Sequence, residues 1–229
     1  DSSFAALKND GSVVAWGLAY NLTYEHSTKW DLNSLLDKEV STIVSSSNSF
    51  AALKNDNTAI FFGRFHQTDD SLNKPPDIEI IGTNVKKIIP NSKDFAMIHN
   101  DGSASFYRSK DSTSKYIYAY EAVKDKLKNG VINIFPGHNS FVAIKDNGEV
   151  ISWGDIEPPH VYEGTENLNG NNIEHIYSTY GAFAALNKDG TVIPWGHAIR
   201  KKREFYETEE QYNNFYYSRG TYRYLPPDN

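Results

Sequence analysis

Residues 3–17 read SFAALKNDGSVVAWG, and residues 49–63 read SFAALKNDNTAIFFG. The same phrase returns as DFAMIHNDGSASFY at 94–107, SFVAIKDNGEVISWG at 140–154 and AFAALNKDGTVIPWG at 182–196. Its leading phenylalanines stand at 4, 50, 95, 141 and 183, at spacings of 46, 45, 46 and 42. A fixed period of this length marks an array in which each copy buries its apolar face against its neighbours. Within each copy an apolar run, a turn and a second apolar run follow one another. The pairs Asp10-Gly11, Asp101-Gly102, Asn147-Gly148 and Asp189-Gly190 supply the positive φ angles that tight hairpins need. Asn57, in glycine's place in the second copy, tolerates that conformation best among the other residues.

Upstream of four copies lies a further β-branched segment: Val40-x-x-Ile43, Val85-x-x-Ile88, Val131-x-x-Ile134 and Ile173-x-x-Ile176. The unit is therefore strand, short loop, strand, tight turn, strand, then a connection that differs from copy to copy. This predicts an all-β chain with short rim helices, a β-propeller-like array of about five antiparallel units of three or four strands each. The pattern V-x-x-I, short loop, F-A-A-L-K-x-D-G-x-V-x-x-W-G resembles the repeats of the regulator of chromosome condensation family. It is similar above all to the shorter repeats of microbial members. The specific portion, D-G-x-V-x-x-W-G, stands at 10–17 and 189–196, and at 147–154 with Asn147 for Asp. The resemblance implies blades around a central channel and a role as a protein-binding platform. This chain departs from the family where Ser46, Asn91 and Thr179 replace a loop glycine that only Gly137 retains. Ser49, Asp94, Ser140 and Ala182 stand where the family has histidine, and the third copy has Phe106-Tyr107 for Trp-Gly. It reads as a diverged branch, so the partners of the chromatin- and GTPase-binding members are not carried over.

Residues 1–199 form the expected repeat domain, followed by an aromatic tail at 200–229. Thr221 to Leu225 falls about where a sixth V-x-x-I strand is due. The tail is expected either to pair with the N-terminal half-repeat and close a five-unit ring, or to belong to an arc of a larger propeller. Closure is favoured, since it removes open sheet edges. The chain opens on Asp rather than Met, inside a repeat, which leads to the expectation that the natural protein begins upstream.

Composition narrows the function classes. Net charge is −6, with 23 Lys+Arg against 29 Asp+Glu, which argues against a phosphate-backbone binder and hence against nucleic acid. There is no cysteine, so disulfides and Cys-ligated metal sites are excluded. No apolar run has membrane-spanning length, and no membrane insertion is expected. The lack of cysteine and the abundance of Asn suit a secreted protein.

The connections 18–39, 64–84, 107–130, 155–172 and 197–220 carry what is individual to this chain, and insertions between repeats commonly form the binding face. Short helices are expected at 31–39, capped by Asp31, at 118–128, with Ala122, Val123 and Leu127 on one side and Gly130 as terminator, and at 205–217. Candidate binding residues are Tyr24, Trp30, Arg64, His66, Tyr107, Arg108, His160 and Tyr162; tyrosine suits an interface because it joins large area to a polar handle. Trp16, Trp153 and Trp195 repeat in register and read as core anchors. The Asp-Gly turns lack the alternating carboxylates of a calcium loop, and the seven histidines form no metal-ligand spacing. Arg200 to Arg203 is the one basic cluster, read as a solvated loop, with an import signal or a dibasic processing site as alternatives. The triplets at Arg64, Ser112-Thr113-Ser114 and Glu207-Thr208-Glu209 resemble in order the Arg-Ser-Glu set of ADP-ribosyltransferase toxins; the repeats run through all three, which sets that reading aside. The reading reached is a non-catalytic binding module that needs no cofactor and no metal and takes a protein partner, with carbohydrate as a variant. The alternative is a receptor- or host-targeting domain of a larger secreted microbial protein or toxin.

Overall fold

A computed structural model of the chain describes residues 3–17, 35–47, 49–63, 77–107, 120–154 and 168–196. All of them belong to the compact unit Asp1–Ala198. The architecture is almost entirely β, as five small antiparallel sheets that follow one another along the chain. They are β1 (Ser3–Leu7) and β2 (Val13–Gly17); β3 (Val40–Ser45), β4 (Ser49–Lys54), β5 (Ala59–Gly63) and β6 (Asp77–Gly82); β7 (Val85–Pro90), β8 (Phe95–His99) and β9 (Ala104–Tyr107); β10 (Val131–Pro136), β11 (Ser140–Lys145) and β12 (Val150–Gly154); and β13 (Ile173–Ser178), β14 (Ala182–Asn187) and β15 (Val192–Gly196). In every sheet the strands lie in sequence order.

The Asp-Gly turns resolve into one repeated device. Gly11 donates its amide to Lys8 O, and Lys8 donates its own to Ser12 O, leaving a three-residue tip of Asn9, Asp10 and Gly11. Only the last of these has positive φ: Gly11 at 81°, Asn57 at 67°, Gly102 at 78°, Gly148 at 84° and Gly190 at 85°. The hairpin is thus a β-turn followed by one left-handed residue, rather than a two-residue turn with both angles positive. The Asp side chain fixes the tip, because Asp10, Asp56, Asp101 and Asp189 each accept the amide two residues on. Asn147 does the same for Glu149.

The V-x-x-I spacing has an equally local cause. In a plain strand, residues three apart face opposite sides. Here the register slips by one residue after Val40, Val85, Val131 and Ile173, so Ser41, Lys86, Ile132 and Glu174 are extra residues in bulges. Each bulge returns the isoleucine to the side of the valine, and both then enter the same core cluster. The extra residues are all exposed.

Four clusters of buried side chains fill the four boundaries between consecutive sheets. The middle strands are buried on both faces: Phe141 and Ala143 of β11 pack towards the third sheet, Val142 and Ile144 towards the fifth. Backbone bonds cross the boundaries as well. Val40 donates to Gly11 O at 3.0 Å, Val85 to Asn57 O at 2.9 Å and Val131 to Gly102 O at 2.8 Å. At the last boundary Gly170 makes this bond, to Gly148 O at 2.9 Å.

Three expectations need correction. The registry puts Tyr107, not Phe106, opposite Phe95, so Tyr107 holds the position that Trp153 holds opposite Phe141. Arg108 then falls, by count, where the other copies have glycine. Trp153 and Trp195 are core anchors, 1% and 0% exposed, but Trp16 is 49% exposed because no sheet covers its face. Finally, the helix expected at 118–128 is a 3-10 turn over Lys124–Leu127. Leu127 is buried and Val123 half-buried, four residues apart, while Ala122 falls one residue out of that stripe and is exposed. Of the helix expected at 31–39 only a turn at 35–36 lies within the described residues, and it carries the buried Leu36. Residues 205–217 and the tail strand at 221–225 lie outside them.

Candidate binding surface

Each hairpin gives its sheet two distinct ends. At one end are the Asp-bearing tips. At the other are the loops between first and second strands, tightened to two residues by Ser46 N on Ser49 O, Asn91 N on Asp94 O, Gly137 N on Ser140 O and Thr179 N on Ala182 O. Third strands finish at this loop end too, since Ser3 pairs with Gly17, Ser49 with Gly63, Ser140 with Gly154 and Ala182 with Gly196. The connections therefore leave from the end that carries the loops.

The loop tips join across sheets. Ser47 donates its amide to Ser92 O at 2.8 Å, and Ser92 donates its own to His138 O at 3.1 Å. The Ser92 hydroxyl also donates to His138 O, and it meets Asn139 Oδ1 at 3.0 Å. The row continues into the fifth sheet through rings: His138 stacks on Tyr180 with centroids 4.3 Å apart. Ser178 donates its hydroxyl to Pro136 O at 2.8 Å beside them. Tyr180 is 68% exposed, and His138 is exposed with it. These bonds fix the loops against one another while leaving an aromatic pair in solvent. Within the third sheet the Asn91 carboxamide oxygen accepts the amides of Lys93 and Asp94 at 2.9 and 2.7 Å, which shapes that tip. Gly137 is required at its position, since a Cβ there would meet Phe183 Cζ at 2.7 Å.

The two ends differ in charge. At the turn end the Ser12 hydroxyl and amide hold the Asp10 carboxyl down to about 2. Asp56, Asp101 and Asp189 are lowered likewise, by the Thr58 amide and by the hydroxyls of Ser103 and Thr191. That end is anionic at any ordinary pH. The loop end presents Lys93 and His138, both exposed. Among the described residues no group of three His, Asp or Glu side chains is placed to hold a metal ion, and no helix is long and apolar enough to cross a membrane.

Of the residues singled out from sequence, Tyr107 alone lies within the described residues. It ends β9 at the loop end, half-buried, with its ring 4.4 Å from that of Phe61 and its hydroxyl on Glu79 Oε2 at 2.7 Å. Tyr24, Trp30, Arg64, His66, Arg108, His160 and Tyr162 lie outside the described residues, as do the Ser112–Ser114 and Glu207–Glu209 segments and the Arg200–Arg203 cluster. Sequence reading passed over His138 and Tyr180. Neither belongs to a repeated motif, and their proximity follows only from the sheets standing side by side.

No protein-family model matches the chain, and no curated protein matches it in sequence. Solved structures do match. Yeast RCC1 (Prp20), in a crystal structure with Kap60 bound to it, is 16% identical with a TM-score of 0.53, over 86% of this chain and 54% of that one. Prp20p of Saccharomyces cerevisiae, described with its binding properties to Gsp1p and histones, is 17% identical with a TM-score of 0.53, over 86% of this chain and 56% of that one. Human WBSCR16 is 17% identical with a TM-score of 0.50, over 87% and 60%. The chain spans between half and two thirds of the length of these proteins. It has a diverged RCC1-like repeat fold.

Proposed function

We propose that the protein is a non-catalytic binding module whose loop end engages another protein. The observation that carries this is the continuous row Ser47–Ser92–His138–Tyr180, which is held across four sheets by backbone bonds and ring stacking and ends in an exposed aromatic pair. A rigid surface loses little entropy on binding, and a tyrosine on it offers large area with a polar tip. All third strands release their connections at this same end, so Tyr24, Trp30, Arg64, His66, Arg108, His160 and Tyr162 are assigned to the binding face around the row. The proteins of similar fold include one whose titles name Kap60, Gsp1p and histones as partners, which supports a protein ligand as a class and names none for this chain.

The test is an exchange of connections. Leu36 is buried and Leu168 packs on the core between the fourth and fifth sheets, so the exchanges stop short of both. Replacing residues 18–34 and 155–167 by short neutral loops, and separately His138→Ala with Tyr180→Ala, is expected to abolish capture of a protein partner while thermal unfolding stays cooperative. Capture that survives all these changes sinks the proposal. The exposed His138–Tyr180 stack also has the form of a sugar-stacking platform. A glycan array run beside the pull-down decides for carbohydrate if only the array responds, and if the response is lost in Tyr180→Ala.

A further inference from the structure

The stacked pair of Phe4 and Trp16 has the geometry of its buried counterparts and none of their cover. Its centroids lie 5.7 Å apart at 21°, against 5.5 Å and 21° for Phe183 and Trp195. Yet Phe4 is 57% exposed, whereas Phe183 is 2% exposed. Phe183 and Trp195 are buried because the fourth sheet presents Val142, Ile144, Val150 and Phe135 to them.

The fifth sheet repeats that presenting surface. Its equivalents are Ala184, Leu186, Val192 and Tyr177, and the last two are exposed. The turns report the same vacancy independently. A Cβ on Gly11, Gly102 or Gly148 would meet the chain that enters the next sheet, whereas one on Gly190 would meet nothing within 4 Å. The first sheet thus exposes one half of the inter-sheet contact, and the fifth sheet exposes the other.

We propose that copies of this chain associate head to tail, the Phe4–Trp16 face of one seating on the Tyr177–Val192 face of the next. The contact is heterologous, joining two different surfaces, so each added copy again offers both halves. Its occupant is specified by the repeat: a surface of the Ala184, Leu186 and Val192 kind covers such a ring pair within the chain, at the fourth-to-fifth boundary. Burying the two rings and the two aliphatic side chains removes the apolar surface that a soluble monomer would otherwise keep in water.

Sedimentation velocity on the full chain over a wide concentration range tests this. Wild-type protein is expected to form dimers and larger species as concentration rises. Trp16→Glu and Val192→Glu alter exposed positions, so both should keep the wild-type circular dichroism spectrum and unfolding midpoint, and each alone should sediment as a monomer. Mixed in equal amounts, they retain one intact face each and should form a dimer that grows no further. A wild-type monomer at all concentrations overturns the proposal. So does association of Val192→Glu alone, which would mean that two Phe4–Trp16 faces meet each other, and so does a mixture that stays monomeric.

Discussion

Tyr107 donates its hydroxyl to Glu79 across 2.7 Å, fastening the last residue of the third sheet to the outer strand of the second. Its ring lies against Phe61, in the cluster that fills the boundary between those sheets. Tyr107→Phe keeps the packing and removes the donor, so it is expected to cost about 1 kcal/mol. Tyr107→Ala also opens a cavity and is expected to cost about 3 kcal/mol or more. Urea unfolding midpoints check both. If Tyr107→Phe leaves stability unchanged, the bond to Glu79 contributes nothing.

Glu39 has φ of 64°, in the left-handed region, where Asn84 and Gly130 stand in the next two sheets. The position is forced, because its carbonyl accepts the Asn55 amide while the following residue turns into β3. Its ion pair with Lys54, at 3.9 Å and with the carboxylate exposed, offsets little of the strain. A left-handed side chain costs roughly 1–2 kcal/mol and glycine's extra unfolded-state freedom returns about half of that. Glu39→Gly is therefore expected to raise stability by about 0.5–1 kcal/mol, seen as a higher thermal midpoint.

The strands were legible in the sequence because the device that builds them is written out five times. The V-x-x-I signal looks wrong for a strand until the bulge at Ser41, Lys86, Ile132 and Glu174 is seen, and its constancy across four copies made it readable without that knowledge. Tyr107 was misaligned by one position, since its copy lacks the Trp-Gly that anchors the count. Trp16 was taken for an anchor because a repeat specifies a residue's equivalents and leaves open whether a neighbouring sheet covers it. The His138–Tyr180 stack was invisible for the opposite reason. It joins two unrepeated loop tips, 42 residues apart, through the packing of whole sheets.

Acid should loosen the turn end. The Asp10 carboxyl titrates at about 2, depressed from its ordinary range by the hydroxyl and amide of Ser12, and Asp56, Asp101 and Asp189 are lowered in the same sense. A group whose pKa is lower folded than unfolded contributes stability above its unfolded pKa and loses it as pH falls through the folded one. The unfolding midpoint is thus expected to hold steady down to about pH 4 and to fall between about pH 4 and pH 2. Asn147 shows that an amide fits the same tip, accepting the Glu149 amide at 2.9 Å. Asn at positions 10, 56, 101 and 189 together should flatten the acid limb. An unchanged limb would place its origin elsewhere.

Gly154 couples stability to the proposed binding face. Its φ of 104° lies where side chains are strained, and an added Cβ would meet Asn139 O at 2.4 Å and Ser140 Cα at 2.6 Å. Both obstacles are backbone, so the loop itself must move, and that loop carries His138 onto Tyr180. Gly154→Ala is therefore expected to destabilise by about 2–3 kcal/mol and to displace the aromatic pair. Gly190→Ala serves as the control: it has a comparable left-handed strain, at φ 85°, but meets nothing within 4 Å and lies at the opposite end of its sheet. It should lower the unfolding midpoint while leaving partner capture intact, whereas Gly154→Ala should weaken capture even at temperatures where the variant is fully folded. Equal capture by the two variants would show that the placement of His138 has no part in binding.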